Sequence, residues 1–172
     1  QHLGAQAGDE LVLTTMNKVS GSTAATADAA GNAQLDADIA VVTKKDGKIT
    51  SCYIDSVQAK IGFDATGTIT SDLTAEILTK NEKGDSYGMV AYGKAKSEWY
   101  VQADALAQYA VGKTAEELRS GAINESGYAV EGTDLATSAT IKLSGYVAGI
   151  EKAVANAQHL GAQGGDELRL AA

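Results

Sequence analysis

Proline is absent from the 172 residues, cysteine, tryptophan and phenylalanine occur once each, and histidine occurs twice. Without proline there is no polyproline spacer to divide the chain, and the length suits one domain able to bury roughly 70% of its unfolded surface. A single thiol can form no internal disulfide. Cys52, in an apolar alternating stretch with no histidine nearby in sequence, reads as an inert core residue. Basic residues are outnumbered, 14 Lys and Arg against 22 Asp and Glu, and the lysines are scattered. That balance excludes nucleic acid as a partner, because displacing counterions from phosphates needs clustered cations. No apolar run reaches the length of a membrane span and no secretory leader is recognisable; a processed chain would look the same, so the compartment stays open.

What is present is a duplication. Gln1-His2-Leu3-Gly4-Ala5-Gln6-Ala7-Gly8-Asp9-Glu10-Leu11-Val12-Leu13 recurs as Gln158-His159-Leu160-Gly161-Ala162-Gln163-Gly164-Gly165-Asp166-Glu167-Leu168-Arg169-Leu170, with two differences. The period, about 157 residues, is that of a whole domain rather than a solenoid repeat. The expected organisation is therefore a tandem array, with residues 1–15 the tail of a preceding unit and residues 16–172 one repeat domain. Both histidines fall in the duplicated segment, where they read as solvated or helix-capping side chains and not as catalysts. Small residues dominate the composition, as they do in many bacterial surface proteins.

Periodicity predicts strands first. Leu35, Ala37, Ile39 and Val41 share one face of a strand, Asp46-Gly47 is a hairpin signal, and Ile49 to Val57 is the partner strand. Lys60 to Phe63, a turn at Asp64-Ala65-Thr66-Gly67, and Thr68 to Thr70 extend the meander. Helices follow. Trp99, Leu106 and Tyr109 are spaced for one face from about residue 96 to 111, and Thr114 with Glu117 forms a capping box. A last helix is expected to open at Thr140, to bury Leu143, Tyr146, Val147, Ile150, Val154 and Ala157, and to stop near Gly161. The order predicts an α+β domain, a mainly antiparallel sheet with helices packed on one face. Trp99 and the tyrosines read as core and rim packing.

Ahead of the last helix stands Asp134-Leu135-Ala136-Thr137-Ser138-Ala139-Thr140. It resembles the flavinylation signature of the FMN-binding domain family, in which Asp is followed after two residues by Ser or Thr, then Gly or Ser, Ala, and the accepting Thr. The resemblance implies FMN held covalently, its phosphate esterified to Thr140 by a dedicated flavin transferase. Asp134 would help to position a magnesium ion or the transferase during attachment, Thr137, Ser138 and Ala139 would complete the recognised segment, and the finished protein would hold no metal. A phosphate at a helix start would meet free amides and the positive end of the dipole. The same segment is also an ordinary helix cap, with Thr137 or Thr140 satisfying an amide. A weaker rival, Asn17-Lys18-Val19-Ser20-Gly21-Ser22-Thr23, has Asn for Asp and Ser for Ala and leads into a strand.

Other stretches extend the resemblance. Ala40 to Thr50 is similar to the family's strand, Asp-Gly-Lys turn and strand. Thr79-Lys80-Asn81-Glu82-Lys83-Gly84-Asp85 stands where the family has a proline-containing loop against the flavin, and departs from it in lacking proline. Trp99, Gln102 and Gly112-Lys113 resemble positions that follow that loop. Thr79 to Glu82, Tyr87-Gly88-Met89, Glu98-Trp99 and Val111 to Thr114 are similar to the repeat domains of PplA-type surface lipoproteins of Gram-positive bacteria, flavinylated shuttles for extracellular electron transfer. From about residue 31 to 170 the resemblance implies an extracellular, membrane-anchored redox carrier rather than an enzyme. Glu82, Gly84, Tyr87, Gly88 and Met89 would line the flavin. Partners would be the transferase, a membrane electron donor, other flavin repeats of the same chain and extracellular acceptors such as iron. The alternative is a non-redox structural or adhesive repeat. No nucleophile, base and acid can be assembled for a hydrolase.

Overall fold

The computed structural model describes residues 3–168. The domain is α+β: a three-stranded antiparallel sheet, order β2-β3-β4, carries five helices. The strands are β2 (Glu10–Val19), β3 (Gly31–Lys45) and β4 (Lys48–Phe63). A two-residue turn joins β3 to β4, with Asp46 at φ 51° and Gly47 at φ 78°. Both central residues are left-handed, as a type I′ hairpin requires, which is why Asp-Gly is the signal there. The register slips between Thr43 and Lys44, leaving Thr50 as the extra residue of a bulge. That bulge turns the Thr50 hydroxyl toward Asp9, to which it donates at 3.1 Å. The unit boundary drawn at residue 15 falls inside β2, which pairs with β3 from Glu10 onward.

β4 is longer than its apolar alternation suggested and absorbs Lys60 to Phe63. Thr68 to Thr70 is not a strand; it contributes one bridge, Phe63 to Ile69, because Asp64 ties the turn by accepting from Thr66 and Thr68. The helices are α1 (Lys80–Lys83), α2 (Trp99–Ala110), α3 (Ala115–Ala122), α4 (Asp134–Ser138) and α5 (Ser144–Asn156). α5 lies across β2 and β3, and α2 across β4. The core between them contains Val42, Ile49, Leu106, Leu118, Leu143 and Ile150, each at most 1% exposed. Burying side chains of this size stabilises by about 1.5–3 kcal/mol each, so this layer dominates the fold. Trp99 belongs to it, at 2% exposure, as does Cys52, whose thiol burial pushes up to about 12.

The sheet face under the helices is not the one the apolar alternation marked. Asp36, Asp38, Ala40 and Val42 point toward the helices, whereas Leu35 on the other face is 48% exposed, as is Leu13. The inward face turns polar toward the far end of the hairpin, which inverts the hydrophobic pattern there. Two short strands, β1 (Leu3–Gly4) and β5 (Glu167–Leu168), pair antiparallel and join the two copies of the duplicated segment to each other. Among the described residues no helix is long and apolar enough to cross a membrane. His159 is solvated, 3.8 Å from Glu10, while His2 and the end of the second copy from residue 169 lie outside the described residues.

Candidate functional site

The Asp134–Thr140 segment does not open the last helix. Residues 134–138 form the short helix α4, capped by Thr133, whose hydroxyl accepts from the Ala136 amide. The Thr137 hydroxyl turns back to donate to the Asp134 carbonyl at 2.7 Å. Ser138 is exposed, Ala139 is buried, and Thr140 lies in a non-helical stretch four residues ahead of Ser144. The reason is a side chain distant in sequence. Gln102, on the first turn of α2 and 1% exposed, accepts from the Thr140 amide at 2.7 Å, the Thr140 hydroxyl at 3.1 Å and the Ile141 amide at 3.1 Å. The Leu143 and Ser144 amides both donate to the Gly127 carbonyl. The helix α5 begins at Ser144 with Leu143 as its cap, so Thr140 lies outside its first turn. At its other end α5 stops at Asn156, short of Gly161.

The second group of expected site residues, 82–89, surrounds the same turn of α2. Thr79 and Glu82 form a capping box: the Glu82 carboxylate accepts from the Thr79 amide at 2.8 Å and is thereby committed to starting α1. Gly84 closes that helix, and a single 3₁₀ turn over Gly84–Tyr87 leads to Gly88. Gly88 has φ 79°, and a β-carbon there would stand 2.4 Å from the Tyr92 ring, so glycine is needed twice over. The Met89 and Val90 amides then donate to the two oxygens of Glu98 at 2.8 and 2.9 Å. Tyr87 and Met89 pack their side chains on the core.

The first turn of α2 is therefore the hub that brings the two groups together. Glu98 holds the 84–90 loop and Gln102 holds Thr140, four residues apart and about 6 Å along the helix axis. Lys96 adds a weak contact to the Thr137 carbonyl, at 3.4 Å. A shallow groove of about 350 Å³ beside Glu98 is lined by Asp85, Val90 and Ala91. A larger one, about 560 Å³, lies at the far end of β4 against Ile61, Leu73, Ile77 and Leu78 and shares no lining residue with it. The rival Thr23 occupies an isolated bridge to Asn32 in the β2–β3 connection.

Behind the loop is a buried polar cluster that sequence reasoning missed. Asp38 accepts from Lys18 at 3.2 Å and from the Ser56 hydroxyl at 2.9 Å, and Asp36 accepts from Ser20, Gln34 and Gln58. The Lys80 ammonium stands 5.2 Å from the Tyr87 ring and 5.1 Å from the Trp99 ring. Burial lowers the Lys80 pKa below the usual lysine range, against the attraction of Asp38 and Asp36. Trp99 donates to the Tyr146 hydroxyl at 3.2 Å, and burial raises the pKa of that phenol. Alternating acidic residues on β3 were the available signal. Among the described residues no group of three or more His, Cys, Asp or Glu is placed to hold a metal.

Compared with known proteins, the chain matches no family model, no curated protein and no solved structure.

Proposed function

We propose that the domain is an extracytoplasmic electron carrier whose FMN is esterified through its phosphate to the Thr140 hydroxyl. The observation that supports this is the presentation of that hydroxyl. Thr140 is exposed, its backbone is fixed by Gln102, and its Oγ donates to the same carboxamide oxygen. A hydroxyl oriented in this way turns its lone pairs outward, toward an approaching transferase. Forming the ester removes the hydroxyl proton, and Gln102 then keeps two amide donors, so attachment leaves no buried polar group stranded. In the transfer the Thr140 oxygen bonds to the FMN phosphorus of FAD, the bond to AMP breaks, and the proton leaves with AMP or solvent.

The flavin would supply the redox chemistry, while the chain holds it and leaves it open to exchange. Thr140 fits the attachment; the helix-dipole contact expected from the sequence has no counterpart. The groove beside Glu98 is a concave surface built by the same hub. The flavin transferase, a membrane donor, sister repeats and acceptors such as iron are the partners of this reading, and the cell surface is its place. A second reading, a non-redox structural or adhesive repeat, is favoured by the pairing of the duplicated segments.

Intact mass before and after treatment with a flavin transferase and FAD separates the two. A gain of one FMN less water, lost in Thr140→Ala and kept in Thr23→Ala, is the expected result. No gain in the parent protein, or a gain that survives Thr140→Ala, overturns the assignment.

A further inference from the structure

The two copies of the duplicated segment fold alike but are used differently. Over the described part, residues 158–168 match residues 1–11 except for Gly164 in place of Ala7. In each copy the Asp carboxylate accepts from the amide three residues before it, Gln6 to Asp9 at 2.9 Å and Gln163 to Asp166 at 2.8 Å. The copies clasp reciprocally: the Gly8 amide donates to the Ala162 carbonyl at 3.3 Å, and the Gly165 amide to the Ala5 carbonyl at 3.4 Å. Ala5 and Ala162 are buried to the same degree, 5% and 6% exposed.

The difference lies on the face turned away from the clasp. In the first copy that face is covered by the domain's own β3–β4 hairpin. Asp9 is 1% exposed and accepts from the bulged Thr50, Lys45 donates to the Ala7 carbonyl at 3.2 Å, and Lys44 pairs with Glu10 at 3.3 Å. In the second copy Asp166 and Gly164 are exposed, in the same turn and with no hairpin over them. The groups used for the clasp and those used for the hairpin are different, so one segment can serve both at once, as the first copy does.

We propose that the exposed face of the Gln163–Asp166 turn is a docking site for a second copy of this domain, which would seat its own Lys44–Thr50 hairpin there. The complementarity is already present in the chain, because that hairpin holds the first copy of the turn, which differs only in Ala7 for Gly164, at Asp9. Where a further unit follows, Leu168 corresponds to Leu11 in β2, so the occupant is that next unit. In a two-unit protein the shared segment is then a joint, clasped by the first copy in the unit before it and docked on the hairpin of the unit after it, and the two units form one rigid body.

The test is a two-unit protein in which residues 14–172 follow residue 170, examined by ¹⁵N relaxation. A rotational correlation time in proportion to the whole mass is expected; two folded units tumbling separately overturn the proposal. Asp166→Ala in the joint should uncouple the units, while the same change in the single domain, where Asp166 is exposed, leaves the melting temperature within about 2 °C. If Asp166→Ala unfolds the second unit, Lys45→Ala with Thr50→Val in that unit attacks the same contact from the hairpin. Circular dichroism then verifies its fold, and coupling unaffected by both sets of changes overturns the proposal.

Discussion

Replacing Gln102 with methionine tests the hub directly. The side chain keeps its length and loses its carboxamide, which accepts three hydrogen bonds from Thr140 and Ile141 and donates one to the Ser97 carbonyl at 2.8 Å. At roughly 1 kcal/mol net per bond the loss would be about 4 kcal/mol, but Thr140 is exposed and water recovers part of it. The expected cost is therefore about 2–3 kcal/mol. For a domain of this size that lowers the melting temperature by roughly 5–10 °C. Urea unfolding followed by the fluorescence of Trp99, the only tryptophan, gives the free energy. Hydrogen exchange gives the location, because the Thr140 and Ile141 amides should lose protection while the β3–β4 ladder keeps it. A fall of less than about 2 °C with both amides still protected would refute the idea that Gln102 fixes this segment.

Cys52 makes the fold sensitive to alkali. Its thiol ordinarily titrates near 9 and is held near 12 by burial, so the folded state retains a proton that the unfolded chain releases. The associated stability is fully present below pH 9 and is lost as pH rises through 12, about 1 kcal/mol by pH 10. Cys52→Ala should be less stable at neutral pH but lose less between pH 8 and about 10.5 in urea titrations; a slope equal to that of the parent contradicts this. Gly31→Ala should lower the melting temperature by several degrees, about 1–3 kcal/mol, since its β-carbon would stand 2.5 Å from the Ala25 nitrogen and 2.6 Å from the Thr23 oxygen. Lys80→Met should be near neutral in stability at pH 7, because the desolvation of the ammonium that it relieves opposes the attraction to Asp38 and Asp36 that it removes. A loss above about 2 kcal/mol in thermal or urea unfolding would show that the attraction dominates.

Features set by neighbouring residues were legible in the sequence. The Asp46-Gly47 turn and the Thr114–Glu117 capping box need only their own few residues, and both are present. Features set by distant partners were not. The start of α5 follows the apolar stripe only from Ser144, because Gln102, 38 residues away from Thr140, takes the amides upstream. The inward face of β3 was not legible for a related reason. Asp36 and Asp38 are satisfied by Lys18, Ser56 and Gln58 on neighbouring strands and by Ser20 just past the end of β2, so polarity ceased to mark the solvent side. The joining residues, Glu98 and Gln102, entered only as positions of the resemblance; their bonds to the 84–90 loop and to Thr140 are made across the fold and leave no local pattern.

The reciprocal bonds between the duplicated segments give each segment a valence of one. The Ala162 carbonyl and Gly165 amide that grip the first copy are the groups a third copy would need. Three such segments in a row would thus leave one without a mate, and with the first two clasped as they are here the unmatched segment is the last. An odd number of segments would carry a free edge able to recruit a neighbouring molecule, and an even number would close on itself.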